Sequence, residues 1–313
     1  MKIAFIIDPL DTLKPYKDSS VAMMRAAQAR GHALFTIQRE SLVVRDGLVS
    51  ARALQLSVST DNHQWYEPGG EALLPLTHFD AVLMRQDPPF DAEYVAATWI
   101  LERAVAQGAR VFNNPRAIRD HSEKVSIAEF PQFTPTTLIA REAASLNAFI
   151  DELGDTILKP LDGMGGTGIF RVRKEDPNRN AIIETLTADG QRTIMAQRYL
   201  PQITEGDKRV LLVGGEVMPY TLARIPMAGE TRGNLAAGGK GVAMPITPRE
   251  QEIATALAPV LWERGLLLVG LDMIGGHLTE INVTSPTCMV EIAQQTGFDI
   301  AQRLIEKLET LPR

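Results

Sequence analysis

Residues 266–283 read LLLVGLDMIGGHLTEINV, and the acid in the middle of that run decides how the rest of the chain is read. Asp272 lies inside a nearly unbroken apolar stretch of strand length. A carboxylate there is costly to bury unless it is paired or metal-bound. Beyond the glycines, Glu280 and Asn282 stand two apart, so on a strand they share one sheet face. Whether Asp272 joins them depends on the turn. A two-residue Gly275-Gly276 turn pairs Asp272 with Thr279 and sends Glu280 to the other face. A three-residue turn that includes His277 pairs Asp272 with Glu280 and Gly270 with Asn282. The second arrangement is the expected one, because three-residue hairpin loops with glycine are common, and it makes three oxygens converge. Two carboxylates and an amide oxygen suit Mg²⁺ whose remaining positions are filled by phosphates and water. The competing reading, two solvated acids on an exposed hairpin, is opposed by the apolar run. On this reading Asp272→Ala abolishes Mg²⁺-dependent turnover and leaves the fold intact.

A second motif lies upstream. After the strand-like Ile157-Leu158-Lys159, residues 162–168 read DGMGGTG. Gly163, Gly165 and Gly168 spell G-x-G-x-x-G, but a dinucleotide site needs a helix next. Ile169-Phe170-Arg171-Val172-Arg173 alternates apolar and basic, so a strand follows and that reading fails. No Lys-Ser/Thr follows in P-loop register either. A glycine hairpin tip still suits phosphate, because bare backbone N–H groups approach its oxygens closely. Lys159 supplies a point charge beside it. A plain tight turn needs fewer glycines.

Working outward, residues 2–7 form a short apolar run of parallel-strand type. A helix over 21–30 follows, with Ser19 or Ser20 as its cap and Gly31 as its stop. Strands are expected at 33–37, 79–85 and 110–112, with a helix over 91–107. Alternating strands and helices imply an open α/β sheet. Ligands in such sheets sit beyond the strands' carboxyl ends, here Asp8, Arg85 and Asn113. After about residue 120 the pattern turns to α+β with much antiparallel character. Strands are expected at 156–160, 169–173, 194–200, 208–213 and 217–224. Residues 225–241, IPMAGETRGNLAAGGKG, read as a structureless lid or linker between strands.

The bulk figures exclude several classes. Of 313 residues, 45% are hydrophobic and 22% charged, an ordinary soluble composition. Net charge is −6, which argues against a nucleic-acid binder. The single cysteine, Cys288, allows no intrachain disulfide and fits a reducing compartment. No signal peptide and no membrane span are expected, so the reading is cytoplasmic. The five histidines show no metal-ligand spacing.

These residues resemble bacterial glutathione synthetase, a family within the ATP-grasp superfamily. The segments that carry the resemblance are KDSS at 17–20, LMRQDPPFD at 83–91, ILKPLDGMGGTGIFRV at 157–172 and GDKRVLLV at 206–213, with LARIP at 222–226, ETRGNLAAGGKG at 230–241, VGLDMIG at 269–275 and LTEINVTSPTC at 278–288. The resemblance implies an N-terminal open parallel sheet of the pre-ATP-grasp kind, substrate-binding, over 1–120. An ATP-grasp domain follows over 121–313. It divides into a small lid subdomain over 121–195 and a larger antiparallel-sheet subdomain over 196–313, with a mobile loop at 225–241.

It also implies ATP-dependent joining of γ-glutamylcysteine to glycine through an acyl phosphate. Lys124, Lys159, Gly163, Met164, Gly165 and Gly166 would hold the nucleotide phosphates. Gln197, Tyr199 and Leu200 would line the adenine pocket, and Asp207 would meet the ribose. Asp272, Glu280 and Asn282 would hold two Mg²⁺, with Mn²⁺ as a substitute. Arg209, Arg224 and Arg232 would neutralise the transferred phosphoryl group, while Arg85, Asn234 and Ser285 would touch substrate. The resemblance further suggests a homotetramer. Alternatives are another ATP-grasp ligase, acting on D-alanine or a peptide, a nucleotide binder without catalysis, and a nicotinamide dehydrogenase.

Overall fold

The N-terminal apolar run, β1 (Lys2–Ile6), is buried along nearly its whole length. It lies between β2 (Ala33–Ile37) and β6 (Ala81–Met84), parallel to both, and β6 pairs in parallel with β7 (Val111–Phe112). The computed structural model describes residues 1–163, 165–227, 233 and 238–312. Helix α1 (Ser19–Ala29) shares a core with Ile3 and Phe5. On the other face, α2 (Ala92–Ala106) packs Tyr94 and Leu101 with Ala4 and Ile6. The cap of α1 is Asp18, not a serine: its carboxylate accepts from Ser20 N and Val21 N. Ser20 is buried and its hydroxyl is used by Arg85 instead.

The sheet does not stop at its parallel strands. β3 (Val43–Arg45), β4 (Leu48–Val58) and β5 (Tyr66–Pro75) extend it antiparallel beyond β2. On β4 the inward positions Val49, Ala51 and Ala53 alternate with outward ones. Two of the three are alanines, so the alternation is faint in the sequence.

After α3 (Pro115–Asp120), a four-stranded antiparallel sheet forms from β8 (Thr137–Ala140), β9 (Asp155–Pro160), β10 (Phe170–Arg173) and β11 (Ile194–Arg198), in the order β10-β9-β11-β8. Helices α4 (Ala143–Leu153) and α5 (Arg179–Thr187) pack Leu146, Ile150 and Ile183 with its Leu158.

The third sheet is antiparallel and runs β14-β13-β12-β15-β16. Its strands are β12 (Asp207–Val213), β13 (Glu216–Ile225), β14 (Lys240–Pro245), β15 (Leu268–Ile274) and β16 (His277–Asn282). Helix α6 (Pro248–Glu263) packs on it and begins with a reciprocal Thr247–Glu250 capping box. The segment expected to be structureless ends in strands, since Ile225 pairs with Lys240. Its residues 228–232 and 234–237 lie outside the described residues, so the lid expected there does too.

The last two helices, α7 (Met289–Thr296) and α8 (Ile300–Thr310), return to the first sheet. Leu304, Ile305 and Leu308 share a core with Ile3, Phe5 and Met24. Arg30 joins Glu306 and Glu309 at 3.3 and 2.6 Å. The chain's end therefore packs against its beginning. Among the described residues no helix is long and apolar enough to cross a membrane.

Candidate active site

Four neighbouring strands of the third sheet place charged side chains in one row. Asp207 on β12 lies opposite Arg224 on β13. Two residues on, Arg209 lies opposite Asp272 on β15, which lies opposite Glu280 on β16. Opposite partners share a face, and residues two apart on a strand share it too. The row faces a cavity of about 490 Å³, lined also by Lys159, Tyr199, Asn282 and Asp87.

The hairpin that delivers Asp272 and Glu280 reaches the expected pairing by another route. Ile274 pairs with His277, so the turn is the two-residue Gly275-Gly276, with φ of 56° and 74°. Those left-handed values suit the tight hairpin turn that glycine allows. The register then shifts by one between Met273 and Asp272. Thr279 is the extra residue of a β-bulge. Asp272 therefore faces Glu280, and Gly270 faces Asn282, although the turn has even length. Thr279 serves twice: its hydroxyl donates to Asp272 O at 3.1 Å, and its carbonyl accepts from Lys159 Nζ at 3.2 Å.

Each acid of the row carries cations. Arg209 grips Asp272 through Nε and Nη2 at 2.5 and 2.8 Å, and Arg224 Nη2 lies 2.8 Å from Asp272 Oδ2. Burial alone would raise the Asp272 carboxyl, but the two guanidiniums override it and hold it well below its usual value. Lys124 Nζ lies 2.8 Å from Glu280 Oε1. Burial opposes that charge pair as well, yet Glu280 is lowered and Lys124 raised. Asp207 differs. Burial outweighs Arg224 and pushes its carboxyl up to about 6, and its Oδ1 has no hydrogen-bond partner among the described residues.

The glycine loop lies over Lys124, which donates to Gly163 O at 2.8 Å. A strand follows the loop, as expected, and Gly163, Gly165 and Gly166 line the cavity. Lys159 is buried, and burial lowers its pKa against the pull of Glu280. Gln197, Tyr199 and Leu200 line the same cavity from β11 and beyond. Behind Tyr199, Arg171 stacks 3.6 Å from the ring centroid while held by Asp155 at 2.9 and 2.6 Å. Met164, Arg232 and Asn234 lie outside the described residues.

Ser285 lines the cavity and its hydroxyl donates to Asp87. Arg85 does not line it. It is buried behind the wall, with Nε on Ser20 Oγ and Nη2 on Pro286 O. The sequence reading passed over Glu123, which also lines the cavity. Glu123 Oε1 accepts from Val283 N, Thr284 N and Thr284 Oγ1, and its backbone carbonyl accepts from Ile281 N. It thereby ties the segment bearing Lys124 to the end of the strand bearing Glu280 and Asn282. Its only sequence signal is its place beside Lys124.

The donor set fits a hard divalent cation. Two ionised carboxylates stand on one face with Asn282, whose Nδ2 donates to Gly270 O and leaves Oδ1 as an acceptor. No three acids, histidines or cysteines converge among the described residues, so the set is two acids and an amide. Cys288 is buried, and burial raises its thiol, which disfavours the thiolate form a nucleophile needs.

The chain matches the family described as prokaryotic glutathione synthetase, N-terminal domain, over residues 1–119, and prokaryotic glutathione synthetase, ATP-grasp domain, over residues 123–297. It is 60% identical over 309 residues to a glutathione synthetase of Ralstonia nicotianae, covering 99% of this chain and 95% of that one. It is 57% identical over 315 residues to a glutathione synthetase of Bordetella pertussis, covering 99% of each. Among solved structures, the ATP-grasp ligase PsnB complexed with minimal precursor, Mg and ADP aligns with a TM-score of 0.63 at 19% identity, covering 98% of this chain and 96% of that one. At that identity the likeness speaks to the fold alone.

Proposed function

This chain belongs to the prokaryotic glutathione synthetase family and is an ATP-dependent ligase of glutathione synthesis, and we propose that the cavity over the Arg224–Asp207, Arg209–Asp272–Glu280 row is where it joins γ-glutamylcysteine to glycine. That row carries the reading: it sets two arginines beside two acids that suit a divalent cation, all on one face. When bound, ATP would supply the phosphoryl group and a divalent metal would neutralise charge on it. Asp272, Glu280 and Asn282 would hold two Mg²⁺, with Mn²⁺ able to substitute.

The protein's own part is positioning and charge. Lys124 and Lys159 bind phosphate oxygens beneath the backbone of Gly163, Gly165 and Gly166. Gln197, Tyr199 and Leu200 take the base, and the open Oδ1 of Asp207 accepts from a ribose hydroxyl. Arg209 and Arg224 neutralise the phosphoryl group as the cysteinyl carboxylate takes it. The glycine amine then displaces phosphate. No side-chain nucleophile is required, because positioning and charge neutralisation carry the reaction. Ser285 touches substrate; Arg85 acts on it only through Pro286 and Ser20.

We also propose residues 1–120 as the substrate-binding unit and 121–313 as the ATP-grasp unit, in a cytoplasmic homotetramer. The family resemblance alone supports the tetramer, and mass photometry tests it. The decisive assay is phosphate release from ATP with γ-glutamylcysteine and glycine, each omitted in turn. Turnover that ignores γ-glutamylcysteine but accepts another carboxylate would refute the substrate assignment.

A further inference from the structure

The cavity extends past the charged row to a second pair of opposite charges. Lys17 comes from the turn before α1, where the amides of Lys17 and Asp18 both donate to Lys14 O. Glu291 comes from the first turn of α7. Both line the cavity. Each feels the other's field, since Lys17 opposes the rise that burial imposes on the Glu291 carboxyl. Yet no salt bridge joins them among the described residues, and among those residues Glu291 Oε2 is buried without a hydrogen-bond partner. A shielded carboxylate oxygen left unpaired is costly unless a ligand supplies its donor.

The position along the cavity matters. Cys288, which caps α7, lies in the field of Arg209 and Arg224. Glu291 is three residues on, roughly one helical turn further from that reacting end. An acid and a base at that remove, facing one cavity but not each other, match an α-amino acid head with its ammonium and carboxylate both free.

We propose that Glu291 and Lys17 clamp the unreacted zwitterionic head of the γ-glutamyl group, Glu291 taking the ammonium and Lys17 the carboxylate. The assignment rests on the ligase reading above. Glycine does not fit the pair, because its nitrogen is the nucleophile and must reach the activated carboxyl. The cysteinyl carboxylate does not fit either, because it is the group activated. Only the γ-glutamyl head keeps both charges through the reaction.

The test compares γ-glutamylcysteine with N-glutarylcysteine, which lacks the ammonium, and 4-aminobutanoylcysteine, which lacks the carboxylate. The wild-type enzyme loses at least about tenfold in kcat/KM on each analogue. Glu291→Gln loses about as much on γ-glutamylcysteine through KM, but little more on N-glutarylcysteine. Lys17→Met shows the same pattern with 4-aminobutanoylcysteine. KM for ATP and for glycine stays within about twofold in both variants.

Equal penalties on the natural substrate and the matching analogue would overturn the clamp. So would a rise confined to the KM for glycine. Wild-type enzyme that accepts N-glutarylcysteine as well as γ-glutamylcysteine would overturn it without any variant. Failure of the wild type to turn over γ-glutamylcysteine and glycine would instead condemn the ligase reading itself.

Discussion

Replacing Asp272 by asparagine keeps the shape of the side chain and removes the charge that two buried arginines share. Arg224 retains Asp207 at 2.6 Å, so the loss falls on Arg209, whose Nε and Nη2 both bind Asp272. The side chains of Arg209 and Asp272 are only 8% and 4% exposed, so water does not replace the lost partner. Removing one member of such a buried pair costs about 3–5 kcal/mol. Folded domains hold about 5–15 kcal/mol in all, so the variant folds but at a visibly lower urea midpoint. Arg209→Met in the same chain removes the stranded cation, and the double variant recovers at least about 1 kcal/mol. Urea unfolding followed by circular dichroism measures both; guanidinium, a salt, would screen the effect. A single-variant cost under about 1 kcal/mol that Arg209→Met leaves unchanged would refute the reasoning.

The remaining predictions concern the neighbours of that pair. The native Asp207 carboxyl binds its proton more tightly than the unfolded chain does, with a pKa of about 6 against an ordinary 3.8. Its contribution to stability is therefore full below about pH 4 and lost as pH rises to about 6. Wild-type stability relative to Asp207→Asn falls over that window; a flat difference counts against the assignment. Gly270→Ala puts a Cβ 2.8 Å from Arg209 Cδ and 3.0 Å from Pro286 Cβ. Arg209 must shift, and kcat falls at least about tenfold; unchanged kcat would place Arg209 outside the chemistry. Arg171→Met removes the stack behind Tyr199, so KM for ATP rises about two- to tenfold while kcat holds. A change in kcat instead would remove Tyr199 from the base pocket.

What the sequence disclosed follows from how local each signal is. Glu280 and Asn282 share a face because strands have period two, and no tertiary knowledge is needed. Asp272 joins them only through the bulge at Thr279, and nothing in GGHLTE distinguishes a bulge from a longer turn. The pairing was therefore legible and its cause was not. The β4–β5 extension is faint in the sequence because two alanines, Ala51 and Ala53, mark the inner face of β4. Helix α8 did carry a signal: Ile300, Leu304, Ile305 and Leu308 follow helical spacing and are all buried. Arg85 shows the limit of reasoning from strand ends. It follows β6, where ligands gather in such sheets, but its guanidinium turns to Ser20 and Pro286. Glu291 and Glu123 are single acids whose roles appear only when distant elements meet.

The Lys124–Glu280 contact has a thermodynamic consequence. Nucleotide phosphates that draw Lys124 away leave Glu280 without its salt-bridge partner in a buried place. A divalent cation that takes Glu280 leaves Lys124 equally stranded. Each ligand alone strands a charge, and the two together exchange partners with none left over. Metal and nucleotide therefore bind with positive linkage, each raising the affinity for the other by the same factor.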